Sequence, residues 1–253
     1  MTCALHKSML IHSSFLRVPT LASVLLVLAC SPRADAAEAG WVDLFNGKDL
    51  TGWVQRGGKA KYAVEDGMIV GSSVLGTDNS FLCTQKNYSD FILELDFKVD
   101  PKLNSGVQVR SECFEEAKTL QADGKEIKVP AGRVHGYQVE IDMEPANKRW
   151  WTAGLYDESR RGWLYPGSLG GDKKMFTEAG AKLSKQGEWN HLKVEAQGDS
   201  IRTWLNGEPR AAIHDSMTRK GFIGLQVHGV GKDKEKENLK IQFRNIRLRE
   251  LAE

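Results

Sequence analysis

The sequence predicts an all-β protein, a sandwich or a barrel of antiparallel strands, and three observations lead there. Phe91, Leu93, Leu95 and Phe97 alternate with Ile92, Glu94, Asp96 and Lys98, the period of a strand with one face in a core. Short apolar runs recur between Gly, Asn and Asp turns, among them Glu65-Asp66-Gly67 and the strong hairpin signal Asn206-Gly207. Helical periodicity is scarce. A chain of 253 residues has ample length for one large β domain with a sizeable core.

Taken in order, strands are expected over residues 63–65 and 68–71, joined by the Asp66-Gly67 turn, then over 81–84 and 91–99. Further strands follow at 106–110, 137–144, 191–196, 200–205, 221–228 and 239–248. The best place for a helix is 114–122, as one short turn. Residues 147–186 lack clean alternation but carry Trp150, Trp151, Tyr156, Trp163 and Tyr165. A long irregular segment in a compact domain is usually functional or disordered, and so many aromatics argue against disorder. Such rings stack on the C–H faces of sugars, or they seal the segment onto the core.

The first 36 residues read as a targeting segment and tether, leaving 37–253 as a single domain. Lys7 and Arg17 precede the apolar run 21–29, which is too short to span a membrane and right for the core of a signal peptide. Ala34-Asp35-Ala36 is a small-x-small cleavage site, whereas Val27-Leu28-Ala29-Cys30 resembles a lipobox that would attach a lipid, and hence a membrane, at Cys30. Both readings give an exported protein, periplasmic or anchored in the outer membrane. The formal net charge is +2, and removing the segment leaves acids and bases in equal number. With no basic run and no reading motif, nucleic acid is not an expected partner. Cys83 and Cys113 are the cysteines left in the domain, and their spacing leaves pairing or free thiols equally open.

Val139-Glu140-Ile141-Asp142-Met143-Glu144 is the most informative stretch. On a strand, residues two apart share a face at roughly 6–7 Å. Gln138, Glu140, Asp142 and Glu144 would then line one face, with Val139, Ile141 and Met143 turned inward. A row of like charges is unusual for a merely solvated face, and crowded carboxylates shift one another's pKa, as acid–base work on a sugar or the holding of a cation requires.

The domain opens on Trp41-Val42-Asp43-Leu44-Phe45-Asn46-Gly47-Lys48-Asp49-Leu50-Thr51-Gly52-Trp53. It closes on Gly221-Phe222-Ile223-Gly224-Leu225-Gln226-Val227-His228-Gly229 and Phe243-Arg244-Asn245-Ile246-Arg247-Leu248. Between them lie Asn104-Ser105-Gly106-Val107-Gln108-Val109-Arg110, Gly136-Tyr137-Gln138-Val139-Glu140-Ile141-Asp142 and Gly187-Glu188-Trp189-Asn190. In this order they resemble the 3-keto-disaccharide hydrolase family, also described as 3-keto-glucoside 1,2-lyase and 3-keto-2-hydroxyglucal hydratase, over about residues 41–251. The resemblance implies a concanavalin A-like jelly-roll sandwich of two curved antiparallel sheets with a groove on the concave face. It implies an exported enzyme that cleaves 3-keto-glycosides by β-elimination, hydration or both. The acidic strand is also similar to the catalytic strand of family-sixteen glycoside hydrolases, although the rest of the chain is not.

A ketone at C3 of a glucosyl unit acidifies the C2 hydrogen. Elimination then needs a base, a group for the enolate oxygen and an acid for the leaving group. Glu140 and Asp142 are expected as base and acid, His135 as a proton shuttle and Arg110, on the face of Gln108, at the enolate oxygen. Gln108, Gln138, Gln226, His228, Trp163 and Tyr165 are expected to bind a small saccharide or glycoside. A divalent metal is an alternative to Arg110, with Glu140, Asp142, His135 and His228 as hard ligands, but no short-range ligand motif supports it. Two other functions compete: a non-catalytic carbohydrate-binding module, and a retaining glycosidase using Glu140 and Glu144.

Overall fold

The computed structural model describes residues 40–252. The apolar run 21–29, Cys30 and Ala34-Asp35-Ala36 lie outside them, and with these the expectations of export and lipid attachment. Among the described residues no helix is long and apolar enough to cross a membrane.

Alternating apolar residues form strands at Trp41–Asp43 (β1), Trp53–Gly57 (β2), Lys61–Glu65 (β3), Met68–Ser72 (β4), Ser80–Thr84 (β5), Phe91–Val99 (β6), Ser105–Cys113 (β7) and Lys118–Ala122 (β8). They continue at Lys125–Val129 (β9), Val134–Ile141 (β10), Leu155–Glu158 (β11), Gly162–Tyr165 (β12), Asn190–Gln197 (β13), Ser200–Leu205 (β14), Glu208–His214 (β15), Phe222–Val227 (β16) and Lys240–Glu250 (β17). One antiparallel sheet has the order β15-β14-β13-β6-β17-β4-β3, with β1 added against β17; the other runs β12-β11-β10-β7-β16-β5-β2. The fold is the two-sheet sandwich that the resemblance implied. Its core lies between the sheets. Leu93, Leu95 and Phe97 of β6 and Leu192 and Val194 of β13 join one apolar cluster with Val107, Val109, Val139, Ile141 and Leu225 of the second sheet. Glu94, Asp96 and Lys98 turn outward between them, as the alternation of β6 predicts.

Two local expectations are corrected. Residues 114–122 hold no helix: β8 pairs with β9 as a hairpin, because Asp123 and Gly124 both take positive φ (52° and 71°) and so make the turn that suits a two-residue hairpin loop. The helix, Lys173–Leu183 (α1), lies in the segment expected to be irregular, and the side chain of Asp172 caps it by accepting from the Met175 N–H (2.8 Å). That segment also contributes β11 and β12 to the edge of the second sheet. Of the two alternatives left open for Cys83 and Cys113, the structure shows free thiols. Strand β16 lies between β5 and β7, so the two Cα atoms are at least about 9 Å apart, beyond disulfide reach.

Candidate active site

On β10, Val139 and Ile141 enter the core, so Gln138 and Glu140 must project from the opposite face. Gln108 of β7 and Gln226 of β16 share that face, since Val107 and Val109, Leu225 and Val227 are the core residues of those strands. The result is a row of buried amides. Gln108 Nε2 and Gln226 Nε2 both donate to Gln138 Oε1 (2.6 and 2.8 Å), and Ser111 Oγ donates to Gln108 Oε1 (2.7 Å). Gln138 is left with its own amide to donate, and it gives it to Glu140 Oε2 (2.8 Å). Asn104 Nδ2 donates to the other carboxylate oxygen, Glu140 Oε1 (2.6 Å). Gly106, the cross-strand partner of Glu140, makes room for this row: a Cβ there would lie 2.7 Å from Gln138 Cγ.

Glu140 is 4% exposed, and burial pushes its pKa up from 4.5 to about 7; the two amide donors and Arg149 oppose the rise, while Asp142 adds to it. It forms part of the wall of a cavity of about 350 Å³, together with Gln138, Gln226, His228, Asn79, Asn104, Arg133, Arg149, Tyr156, Glu158 and Trp163. A second carboxyl therefore shares the cavity. Glu158 also has a raised pKa, chiefly from burial, with Ser159 and Arg133 opposing the rise. Tyr156 sits directly across from Gln138 and two residues from Glu158 on the same face of β11. Burial and the charges of Glu158 and Glu140 hold its hydroxyl pKa above the usual value. Trp163 packs edge-on against both Trp151 and Tyr156, at 4.5 and 5.2 Å between ring centroids.

Arg149 is presented by a strained turn. Lys148, Trp150 and Ala153 all take left-handed backbone (φ 55°, 54° and 61°), each costing on the order of 1 kcal/mol for a non-glycine residue. The guanidinium lies 5.7 Å from the Trp163 ring centroid, and its Nε donates to Asp142 Oδ2 (2.8 Å). Buried Arg210 holds the turn from behind by donating to the carbonyls of Thr152 and Trp150 (3.2 and 3.3 Å).

Of the residues singled out in the sequence, Glu140, Gln138, Gln226, His228 and Trp163 meet in this cavity, with Gln108 directly behind them. The other four are placed elsewhere. Asp142 follows the last paired residue of β10, Ile141, so strand alternation no longer governs it; it is wholly buried under Arg149. Arg110 has φ 46° and sits where the pairing of β7 with β16 shifts register, so it does not share the face of Gln108. It is buried in bonds to Ser89 O, Gly198 O and Asp90 Oδ1 (2.6, 2.7 and 2.8 Å). His135 stands at a bulge before Gly136, wholly buried 4.5 Å from the Phe114 ring. Burial lowers its pKa to about 4, with nearby Arg160 adding to the effect, so it stays neutral and meets no partner for either ring nitrogen among the described residues. Tyr165 packs against Phe176 of α1 (5.7 Å). Of the four residues named as metal ligands, Glu140 and His228 line the cavity whereas Asp142 and His135 do not, and among the described residues no three His, Cys, Asp or Glu side chains gather as a metal site.

Arg149, Tyr156, Glu158, Asn104, Arg133 and Asn79 were not singled out for the site. Asn104 lay inside a motif already noted, and Tyr156 inside the aromatic segment. Arg149 and Glu158 carried no signal of their own, because the turn and the short strand that present them show no alternation.

A model of the 3-keto-alpha-glucoside-1,2-lyase-like domain matches residues 40–249. A crystal structure from Parabacteroides distasonis, provisionally named a glycosyl hydrolase, aligns over 84% of this chain and 94% of its own at 21% identity and TM-score 0.51. A Bacillus subtilis protein of unknown function with a galectin-like fold aligns over 83% and 94% at 13% identity and TM-score 0.52. Both likenesses concern the fold. Comparison with curated proteins finds no match.

Proposed function

Because the chain belongs to the 3-keto-alpha-glucoside-1,2-lyase-like domain family, we propose that it is an exported enzyme cleaving 3-keto-glycosides by β-elimination followed by hydration. The family makes it a carbohydrate-active protein; the reaction is the one that the resemblance implies, and the site offers groups for its steps. The observation that carries it is Glu140, a buried carboxylate held between two amide donors with a pKa of about 7, beside Arg149 in a sugar-sized cavity. A base poised near neutral pH and a cation beside it are what proton abstraction next to a ketone requires.

In this reading the Glu140 carboxylate removes the C2 proton while Arg149 binds the C3 oxygen on which charge develops. The electron pair forms the C1–C2 double bond, the C1–O bond breaks, and the departing oxygen takes the proton of the Tyr156 hydroxyl. The products are 3-keto-2-hydroxyglucal and the free aglycone. In the return step the tyrosinate takes a proton from water, hydroxide adds at C1, and protonated Glu140 returns its proton to C2. Both groups end as they began, and 3-ketoglucose is released. A phenol suits the acid role, because it remains protonated at a pH where Glu140 has ionised.

The competing readings are less well supported. A binding module has no use for a buried carboxylate with a raised pKa in the wall of its cavity. A retaining glycosidase needs its two carboxyls about 5–5.5 Å apart, whereas Glu144 is held by Lys236 (2.9 Å) at the start of a 3-10 turn and lines a different cavity. The test is incubation with a 3-keto-glucoside and with its unoxidised parent. Turnover of the ketone alone, with release of a 2-hydroxyglucal or 3-ketoglucose, is expected. Turnover of the parent points to a glycosidase, and binding without turnover to a module.

A further inference from the structure

We propose that Ser111 and Gln108, neither of which lines the cavity, are positioning residues for Glu140: together they set the direction of the amide row, so that Gln138 turns its N–H and not its carbonyl to the carboxylate. The inference rests on the reading of Glu140 as the base and adds what keeps that base ready. The two ends of a primary amide are alike in size, so packing does not tell them apart; hydrogen bonds do. Gln138 Oε1 accepts from two amides, Gln108 Nε2 (2.6 Å) and Gln226 Nε2 (2.8 Å), which leaves Gln138 Nε2 for Glu140 Oε2 (2.8 Å). The two donors are not equivalent. Gln226 Oε1 meets no partner among the described residues, so no bond there fixes which way that amide points. Gln108 Oε1 accepts from Ser111 Oγ (2.7 Å). The Ser111 hydroxyl has a single proton, and the carbonyls of Val109 and Tyr137 are farther from it, at 3.2 and 3.1 Å.

Ser111, Gln108, Gln138 and Glu140 thus form a chain in which every donor points the same way, from β7 to β10. Ser111 and Gln108 are wholly buried, out of reach of the bulk water that would otherwise compete for these bonds. Reversing the row would set the Gln138 carbonyl against Glu140, where it can bond the protonated carboxyl only. It would also leave the N–H groups of Gln108 and Gln226 without the acceptor they share. Ser111 at one end and the ionised carboxylate at the other therefore favour the same direction, and the serine does so before any substrate arrives. Without that anchor the carboxylate loses a donor in part of the molecules and holds its proton to higher pH.

The experiment measures kcat/KM against pH for a 3-keto-glucoside on the wild type, Ser111→Ala, Gln108→Met and the double variant, each verified as folded by circular dichroism. The charged and titratable groups around Glu140 are the same in all four: Asp142 at the end of β10, Arg149 from the turn, Tyr156 and Glu158 from β11, Arg133 before β10 and His228 after β16. A shift therefore reports the row. The midpoint, about 7 in the wild type, is expected to rise by about half a pH unit or more in each single variant. The double variant should move no further than Gln108→Met, because both changes act through one chain. Difference infrared spectroscopy without substrate, on the carboxyl band that Glu140→Gln removes, reads the same midpoints. An unchanged midpoint in either folded single variant, even with a lower plateau, overturns the assignment, and so does a double variant whose shift is the sum of the two. Ser111→Ala removes one oxygen and decides alone if Gln108→Met fails to fold. A wild type that leaves the ketone untouched removes the lyase reading, and the infrared midpoints then still decide the positioning.

Discussion

Glu140 reports on the site through its proton. Its pKa is raised on folding, from 4.5 to about 7, because the buried carboxylate has lost its water. Between those values the folded protein holds a proton that the unfolded chain releases. This residue's contribution to stability is therefore fullest below about pH 4.5 and is lost as the pH rises through about 7. Activity runs the opposite way, since the base must be ionised: kcat/KM is expected to climb with pH and level off above about 7. Glu140→Gln should lower kcat/KM by about 10²–10⁴-fold. Its melting temperature relative to wild type should rise between pH 5 and 8, because Gln has no charge to desolvate. A pH–rate profile and a paired series of melting curves measure both; a Glu140→Gln protein that loses stability at every pH but keeps its turnover would make the residue structural. The same residue-scale logic explains why His135 and Arg110 do not serve the site. Each sits next to a local irregularity, Gly136 with φ 130° in one case and its own φ of 46° in the other, and a single irregular residue re-aims the side chains around it.

Strand β10 carries the site, and its bulge is where it is most vulnerable. At Gly136 a Cβ would lie 2.6 Å from Ser111 Oγ and 2.9 Å from Ser111 Cα, on a backbone that L side chains rarely adopt. Gly136→Ala is expected to cost about 1–3 kcal/mol in a denaturant titration. Ser111 also ends the amide row that reaches Glu140, so activity should fall with stability and a second-site Ser111→Gly change should restore part of both. The row itself was legible in the sequence as outward positions of three alternating strands, Gln108, Gln138 with Glu140, and Gln226. The turn at 148–153 and strand β11 were not. Their residues are placed by the Arg210 bonds and by pairing with β10, contacts with partners far away in sequence, so no local period announces them.

One apolar layer joins the two sheets, and the cavity lies on the far side of the second sheet from it. Core and site are thus the two faces of the same strands, and loss of packing should reach the site through the sheet. Phe97→Ala removes a wholly buried ring from the centre of that layer and is expected to cost about 3–5 kcal/mol. Far-UV circular dichroism and tryptophan fluorescence should report one coincident transition at a lower midpoint, because Trp53 shares the core cluster. Two separate transitions would show the sheets to be independent.

The sequence by itself determined that strands dominate, which residues of the central strands face inward, and that an acid with glutamine neighbours lies on the outward face. These follow from a period of two, which needs only neighbouring residues to be visible. Tertiary structure alone decided which charged groups join Glu140. Asp142 turned under Arg149, Arg110 turned to Asp90, and Arg149, Tyr156 and Glu158 were brought in from a turn and a short strand. Bulges, strand ends and long-range pairing set those positions, and none of them has a signature in the local run of residues.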